Sequence, residues 1–174
     1  MRPVLLILGP TASGKSALAL TLARDSGAVI VNADSMQVYR DLAVLTARPT
    51  PDDEAQAPHR LFGVIDGAER FSVGRWLAVA RDEITAAGEA DRPVIIVGGT
   101  GLYFKARTEG LAATPDVPEA LQAGLMAALA DDGAPALHAR LVAADPKGAA
   151  ALSPQDGPRI VRALAVLEAS GRPL

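Results

Sequence analysis

One eight-residue stretch near the start of the chain constrains the fold more than any other feature. An apolar run at Val4–Leu8 predicts a buried strand before it, and residues 17–24 predict a helix after it. Strand, glycine-rich loop and helix, in this order, form the context in which such a stretch binds phosphate. The stretch fits the phosphate-loop pattern G-x-x-x-x-G-K-[ST] at each fixed position and consists of Gly9, Pro10, Thr11, Ala12, Ser13, Gly14, Lys15 and Ser16.

The chemistry expected of this loop follows from its backbone. Glycines let successive N–H groups turn toward an anion, and the start of the following helix adds partial positive charge. We expect Lys15 to reach the terminal phosphate and the Ser16 hydroxyl to occupy one coordination position on Mg²⁺. The alternative is a plain glycine turn, which the agreement of the pattern with both flanks disfavours.

The composition predicts a globular protein of the cytoplasm without membrane contact. The chain has 174 residues, of which 49% are hydrophobic, enough for about one domain with a real core. It has no cysteine, which excludes disulfides, thiolate zinc sites and cysteine nucleophiles. A signal-peptide pattern and an apolar run of about 20 residues are both missing from the sequence. With a net charge of −3, any nucleic-acid contact must come from local basic clusters.

Alternating elements in the first two thirds of the chain predict an α/β fold. Apolar runs at 29–31, 61–65 and 94–97 predict further strands, and Ser72 can cap an amphipathic helix that follows it. Residues 41–60 contain three prolines and several charges and are predicted to be a long loop. Strands that alternate with helices predict a P-loop NTPase-like parallel sheet with helices on both faces.

The character of the sequence changes after Leu111. A turn-rich segment at 114–118 indicates a boundary, and no strand pattern follows it. Apolar residues then recur at helical spacing, which predicts helices around 121–129, 135–143 and 157–169.

Parallel α/β sheets bind ligands beyond the carboxyl ends of their strands, so three loops are expected to converge there: 9–16, 32–37 and 98–103. Asp34 in the second loop is a candidate general base or metal ligand, and the alternative is a carboxylate that caps a turn. Thr100 lies in a glycine turn that lets the backbone approach a ligand, and the alternative is a plain turn.

A local basic cluster is predicted on the last helix. Arg159 and Arg162 are one helical turn apart and therefore share a face. The alternative is a solvated face on which an arginine pairs with Asp156. The lone tryptophan, Trp76, lies on the apolar face of its helix and is predicted to be a core residue.

Six segments in this order closely resemble the tRNA dimethylallyltransferase family. In that family the enzyme transfers a dimethylallyl group from its diphosphate to N6 of the adenosine next to the tRNA anticodon. The D-S-M-Q-V-Y-R and G-G-T-G-L-Y elements are specific, because ordinary phosphate-loop kinases lack them. The matching segments are 9–16, 32–40, 46–49, 58–59, 98–103 and 156–164.

The resemblance implies a role for each candidate residue. Residues 11–16 would contact the diphosphate of the donor, with Lys15 and Mg²⁺ on Ser16 stabilising its charge. Asp34 would take the N6 proton, and Thr100 would lie at the reaction centre near the tRNA. The flipped adenosine would be held by Asp34, Ser35, Met36 and Gln37. The tRNA backbone would be contacted around Pro158, Arg159, Ile160, Val161 and Arg162.

The resemblance also implies a domain organisation. Residues 1–113 would form the N-terminal part of the catalytic core. Residues 114–174 would form a helical insert domain that holds the anticodon stem-loop, and would begin the return to the core. Family members are usually longer, so we expect the elements that close the core from the C-terminal side to lie outside this chain. Arg48 stands where the family usually has lysine. We expect a monomer.

Two other functions remain open from the sequence. The phosphate loop alone also suits an ATP-dependent small-molecule kinase, although residues 94–97 lead into Gly-Gly-Thr-Gly rather than a magnesium-binding aspartate. A truncated module that binds tRNA or a diphosphate without turnover is the non-catalytic alternative.

Overall fold

The computed structural model divides into two compact units, Met1–Leu111 and Ala112–Leu174. It describes residues 3–111 and 115–173. The domain boundary predicted between residues 113 and 114 lies outside these ranges.

The first unit is built around a four-stranded sheet in the order β1-β4-β2-β3, and each pairing is parallel. The prediction of a parallel α/β fold is confirmed. In chain order its elements are β1 (Val4–Leu8), α1 (Lys15–Ser26), β2 (Val29–Asn32), a 3₁₀ turn (Arg40–Leu42), α2 (Pro51–Gln56), β3 (His59–Arg60), α3 (Val73–Glu89), β4 (Val94–Gly98) and α4 (Gly101–Glu109).

Helices cover both faces of this sheet, as predicted. Successive side chains of a strand point to opposite faces, so β2 and β4 contribute to two separate cores. On one face Val31 and Ile96 pack in a cluster that includes Trp76 of α3 and residues of α4. On the other face Ile30 and Ile95 pack in a cluster with α1. Both strands are buried along their whole length, which explains their uninterrupted apolar sequences.

The prediction that β1 is a buried strand is wrong. Leu5, Leu6 and Leu8 are 46%, 37% and 57% exposed. The strand lies at the edge of the sheet and, within the part of the chain that the structure describes, pairs with β4 alone. An apolar run indicates that a strand can be buried, but not whether it has a neighbour on each side.

Residues 41–65 also differ from the prediction. The expected loop contains α2, whose start is fixed by reciprocal hydrogen bonds between Thr50 and Asp53. These bonds from the Thr50 hydroxyl and amide hold the pKa of Asp53 below its usual value. A strand was expected at 61–65, but the structure has it just before that range, at His59–Arg60 (β3), where it pairs with Ile30 and Val31. Leu61 has a φ of 64°, which ends the extended conformation there.

The second unit contains helices only, within residues 115–173. Leu141, Ile160 and Leu164 are fully buried in its core. The three predicted helices are confirmed, and a short fourth helix was not predicted. No helix among the described residues has the length and apolarity to cross a bilayer. The helices are α5 (Glu119–Asp132), α6 (Ala134–Ala144), α7 (Pro146–Ala150) and α8 (Gly157–Ser170).

Gly98, at the end of β4, gives a direct test of the sheet. A Cβ atom there would overlap the carbonyl group of Ala33, so the backbone would have to shift. Gly98→Ala should lower the free energy of unfolding by about 1–3 kcal/mol, the usual cost of overpacking. Urea denaturation measures this change.

Gly88→Ala is the matched control, because a Cβ at this helical position would meet nothing within 4 Å. We expect it to leave stability unchanged or raise it by up to about 1 kcal/mol. Equal effects of the two substitutions would contradict the close approach of the strands.

Candidate phosphate-loop active site

The phosphate loop has the backbone conformation that an anion cradle needs. Ala12 and Gly14 have φ angles of 63° and 81°, in the left-handed region. Gly14 precedes α1 without a side-chain cap, so the first N–H groups of this helix have no capping side chain. Residues 10–14 are exposed. The loop can therefore present backbone N–H groups to a phosphate from solvent.

Lys15 and Ser16 lie at the mouth of this loop. The Lys15 ammonium donates a hydrogen bond to the carbonyl of Pro10, 3.1 Å away, and so folds over the loop. Ser16 is exposed at the start of α1. No group of three or more acidic, histidine or cysteine side chains within the described ranges could hold a metal. A hydroxyl with diphosphate oxygens and water fits Mg²⁺, which keeps several waters and prefers oxygen ligands.

Asp34 lies in the turn that follows β2. Its Oδ1 accepts a hydrogen bond from the backbone N–H of Met36 at 2.9 Å, so the expected turn cap is present. Its Oδ2 lies 3.6 Å from the position of a Cβ built on Gly99. One carboxylate oxygen thus shapes the turn while the other faces the glycine loop after β4. The capping and the catalytic interpretations are compatible in this geometry.

A buried amide at the end of β2 holds this turn in place. Asn32 is 0% exposed, and its Oδ1 accepts from the N–H of Asp34 at 2.8 Å. Its Nδ2 donates to the carbonyls of Asp34 and Leu61, at 3.0 and 3.1 Å. The Trp76 indole donates to the Asn32 carbonyl at 2.7 Å. Sequence reasoning placed Trp76 in the core but missed this role, and it missed Asn32.

Tyr103 completes the support of the turn. Its ring stacks on Trp76 with centroids 4.5 Å apart. Its hydroxyl is buried and has no hydrogen-bond partner among the residues that the structure describes. Burial, together with the nearby Tyr39 and Asp34, raises the pKa of Tyr103 to about 12, so the phenol stays protonated at neutral pH. The stack thus places a neutral aromatic layer behind the carboxylate.

Thr100 joins the turn after β2 to the loop after β4. Its Oγ1 accepts from the N–H of Ser35 at 2.9 Å and lies 3.3 Å from the Ser35 hydroxyl. Its own N–H donates to the Ala33 carbonyl at 3.2 Å. Thr100 is also the residue that precedes α4. The glycine turn is therefore built into the site rather than being a plain connection.

The three predicted loops do converge. The N–H of Gly9 donates to the carbonyl of Gly98 at 3.4 Å. A Cβ built on Gly99 would lie 3.6 Å from both the Gly9 carbonyl oxygen and Asp34 Oδ2. The Gly9 carbonyl and the Asp34 carboxylate therefore both border the space beside Gly99 that a side chain would fill. A phosphate-binding loop and a carboxylate thus flank the same small space.

Four of the predicted tRNA-contacting residues are exposed to solvent. Met36 is 48% exposed, and Pro158, Arg159 and Arg162 are also exposed. Arg159 pairs with Asp156 at 3.4 Å, which was the alternative considered from the sequence.

Two residues of the predicted tRNA segment need correction. Ile160 and Val161 are 0% and 1% exposed, because they form the inner face of α8. Their side chains are held in the core of the helical unit and are not available to tRNA. The exposed part of the motif is confined to the face that carries the two arginines.

This combination of a parallel sheet, helices on both faces and a glycine-rich loop before α1 defines a phosphate-loop α/β protein. The family model for IPP transferase matches residues 37–174. The chain belongs to the IPP transferase family. The match to the family model begins after Asp34, so the phosphate loop lies outside the matched residues.

Curated relatives match almost the whole chain. A tRNA dimethylallyltransferase of Methylobacterium sp. (strain 4-46) is 58% identical over 170 residues, which are 98% of this chain and 56% of that protein. A tRNA dimethylallyltransferase of Rhodopseudomonas palustris (strain TIE-1) is 55% identical over 170 residues, which are again 98% of this chain and 56% of that protein. The chain therefore spans a little over half the length of these relatives.

Solved structures support the same fold. A tRNA isopentenylpyrophosphate transferase of Bacillus halodurans matches with a TM-score of 0.63 and 35% identity, covering 99% of this chain and 57% of that one. A eukaryotic dimethylallyltransferase acting on tRNA matches with a TM-score of 0.83 and 26% identity, covering 99% and 43%.

The stacked pair Trp76 and Tyr103 offers a test of the support behind Asp34. Trp76→Phe removes the donor to the Asn32 carbonyl and leaves that buried oxygen unpaired. It should lower the free energy of unfolding by about 1–3 kcal/mol. Thermal or urea unfolding measures the change.

Tyr103→Phe is the matched control, because it deletes a buried hydroxyl that has no hydrogen-bond partner in the described part of the chain. Its stability should be unchanged or slightly higher. The proposed network is refuted if Trp76→Phe is as stable as Tyr103→Phe.

Proposed function

We propose that this chain carries the donor site and the catalytic base of a tRNA dimethylallyltransferase. In this reaction a dimethylallyl group passes from its diphosphate to N6 of the adenosine next to the tRNA anticodon. One observation carries the proposal: the Gly9 carbonyl oxygen of the phosphate loop and Asp34 Oδ2 both lie 3.6 Å from a Cβ built on Gly99, so the loop and the carboxylate border the same space. The names of the curated relatives support the same reaction.

The donor half of the site is residues 9–16. The N–H groups at the uncapped start of α1 would bind the diphosphate oxygens, and its helix dipole would favour their negative charge. Lys15 would exchange its hydrogen bond with Pro10 for one with the leaving group. Mg²⁺, held by Ser16 together with diphosphate oxygens and water, would further neutralise the charge of the leaving diphosphate.

The acceptor half of the site is the turn after β2. As the C1–O bond of the donor breaks, the diphosphate leaves with the electron pair, and the adenine N6 forms a bond to C1. The N6 proton then passes to the Asp34 carboxylate, whose Oδ1 is held by Met36. Thr100 would act at the reaction centre, and its bonds to Ser35 fix the turn. The adenosine must leave the base stack of the tRNA to reach this turn.

The tRNA would be held by local contacts. Met36 and neighbouring residues of the turn would meet the flipped adenosine, while Pro158, Arg159 and Arg162 would meet the tRNA backbone. We propose that residues 1–113 serve as the catalytic part and residues 114–174 as the part that holds the anticodon stem-loop. We propose that the protein acts as a monomer in the cytoplasm.

The two halves of the site can be tested by two substitutions. Lys15→Ala should weaken the binding of dimethylallyl diphosphate and abolish transfer, because the loop loses its cation. Asp34→Asn should reduce the rate of transfer by about 10²–10⁴, the usual contribution of a positioned base, with donor and tRNA affinity little changed. Labelled dimethylallyl diphosphate measures both binding and transfer to tRNA.

Lys105→Ala and Asp82→Asn, both outside the site, are the matched controls and should behave as the unchanged chain. A rate near the control in Asp34→Asn would move the base elsewhere. Phosphate transfer from labelled ATP to a small acceptor would favour a kinase. Tight binding of tRNA or diphosphate without any transfer would favour a module that only binds.

The helical unit can be tested by a double substitution. Replacing Arg159 and Arg162 with glutamine should weaken tRNA binding and flatten its dependence on salt, because fewer counterions are released. The affinity for dimethylallyl diphosphate should stay unchanged. Filter binding of tRNA at several salt concentrations measures both the affinity for tRNA and its dependence on salt.

Replacing Arg140 and Arg172 with glutamine is the control, since it removes the same charge from the same helical unit. A double variant at Arg159 and Arg162 that keeps the original salt slope would show that this face of α8 is only solvated. The tRNA surface would then lie elsewhere.

A further inference from the structure

Two side chains close the segment that follows the Asp34 turn, here called the 37–48 loop. Gln37 Nε2 donates to the carbonyls of Thr46 and Ala47, at 2.8 and 3.3 Å. Arg48 Nη1 donates to the carbonyls of Tyr39 and Arg40, at 3.4 and 3.3 Å. Each end of the loop thus bonds the backbone near the other end. These side-chain bonds add to the backbone bonds of the loop, which include the 3₁₀ turn at Arg40–Leu42 and the bond from the Arg48 N–H to the Ala43 carbonyl at 3.0 Å.

Gly63 leaves the space in which the Arg48 guanidinium lies. A Cβ built on Gly63 would overlap Arg48 Nη1, and its φ of 60° is in the left-handed region. The N–H of Gly63 donates to the carbonyl of Gln37 at 2.9 Å. The same glycine therefore contacts both ends of the 37–48 loop. Arg48 is packed between this loop and the chain that follows β3.

Arg48 contacts carbonyls and no carboxylate among the described residues. Its Nε is buried and finds no hydrogen-bond partner within residues 3–111 and 115–173, and its side chain is half-buried overall. A guanidinium has a rigid planar fork of donors, so it can bond two neighbouring carbonyls at once. The single ammonium of lysine is a point donor on a flexible stem. Both bonds here come from Nη1 alone, so what suits arginine is the planar guanidinium group that fills the space beside Gly63.

We propose that Arg48 is a positioning residue that fixes the Asp34–Gln37 turn for the incoming adenosine. This role rests on the proposed function, because the turn is the predicted adenosine-binding element. Arg48 does not touch the reacting atoms. It acts through the carbonyls of Tyr39 and Arg40, a few residues after the turn. Gln37 closes the loop from its other end, where its amide donates to the carbonyls of Thr46 and Ala47.

The test compares Arg48→Ala with Arg48→Lys, and Arg75→Ala is the matched control. Arg75 also donates to a backbone carbonyl, that of Arg70 at 2.7 Å, but lies on α3 outside the loop. Transfer at saturating tRNA, the KM for tRNA and the Kd for dimethylallyl diphosphate are measured for each variant.

We expect Arg48→Ala to reduce the rate of transfer by about 10- to 100-fold, as misplacement of a reacting group does. Arg48 and Ser16 line one cavity, but the hydrogen bonds of Arg48 go to Tyr39 and Arg40 and not to residues 9–16, so the Kd for dimethylallyl diphosphate should change less than about twofold. Arg48→Lys should be intermediate, and added guanidinium ion should restore part of the activity of Arg48→Ala. Arg75→Ala should behave as the unchanged chain.

An unchanged rate and KM in Arg48→Ala would overturn the proposal. An equal loss of donor binding would also overturn it, since Arg48 would then act on the donor through the cavity it shares with Ser16, or the variant would be unfolded. If the unchanged chain shows no transfer, the proposed function fails, and hydrogen exchange then tests the positioning role alone. Amides 36–47 should exchange faster in Arg48→Ala than in Arg75→Ala, and equal exchange would refute the role. If Arg48→Ala does not fold, the same measurements are made on Arg48→Lys.

Discussion

The close approach of Gly98 to Ala33 is the contact on which the candidate site depends. No side chain fits between these two strand ends, so the backbones of β2 and β4 meet directly. Ala33 donates to the Val97 carbonyl at 2.8 Å and accepts from the Thr100 N–H at 3.2 Å. This contact brings the Asp34 turn beside the glycine loop, and Gly9 joins the same point through Gly98. A phosphate cradle and a carboxylate thereby share one edge of the sheet.

Local patterns carried most of what the sequence could predict. The phosphate loop was predictable because its glycines, lysine and serine are contiguous and act through their own backbone. β2 and β4 were predictable because they are short uninterrupted apolar runs, and α3 because its apolar residues recur at helical spacing. The convergence of three loops followed from the rule that parallel strands end at one edge. The roles of individual site residues came from resemblance, and they stay predictions.

Contacts between distant segments set the limit of that prediction. The indole of Trp76 bonds the carbonyl of Asn32, 44 residues away, and no local pattern encodes such a pair. β1 was expected to be buried because its sequence is apolar, yet its place at the edge depends on the order of the strands. The α2 helix did have a local signal, the Thr50-Pro51-Asp52-Asp53 cap, which the prolines and charges around it concealed.

A crystal structure of the chain with Mg²⁺ and an unreactive thio analogue of dimethylallyl diphosphate tests the central claim most directly. The account predicts that the diphosphate lies in the loop 9–16, bonded by the N–H groups at the start of α1. Lys15 should have left the Pro10 carbonyl for a phosphate oxygen, and the allylic carbon should face Asp34 across Gly99. A diphosphate bound elsewhere, or an allylic carbon directed away from Asp34, would contradict it.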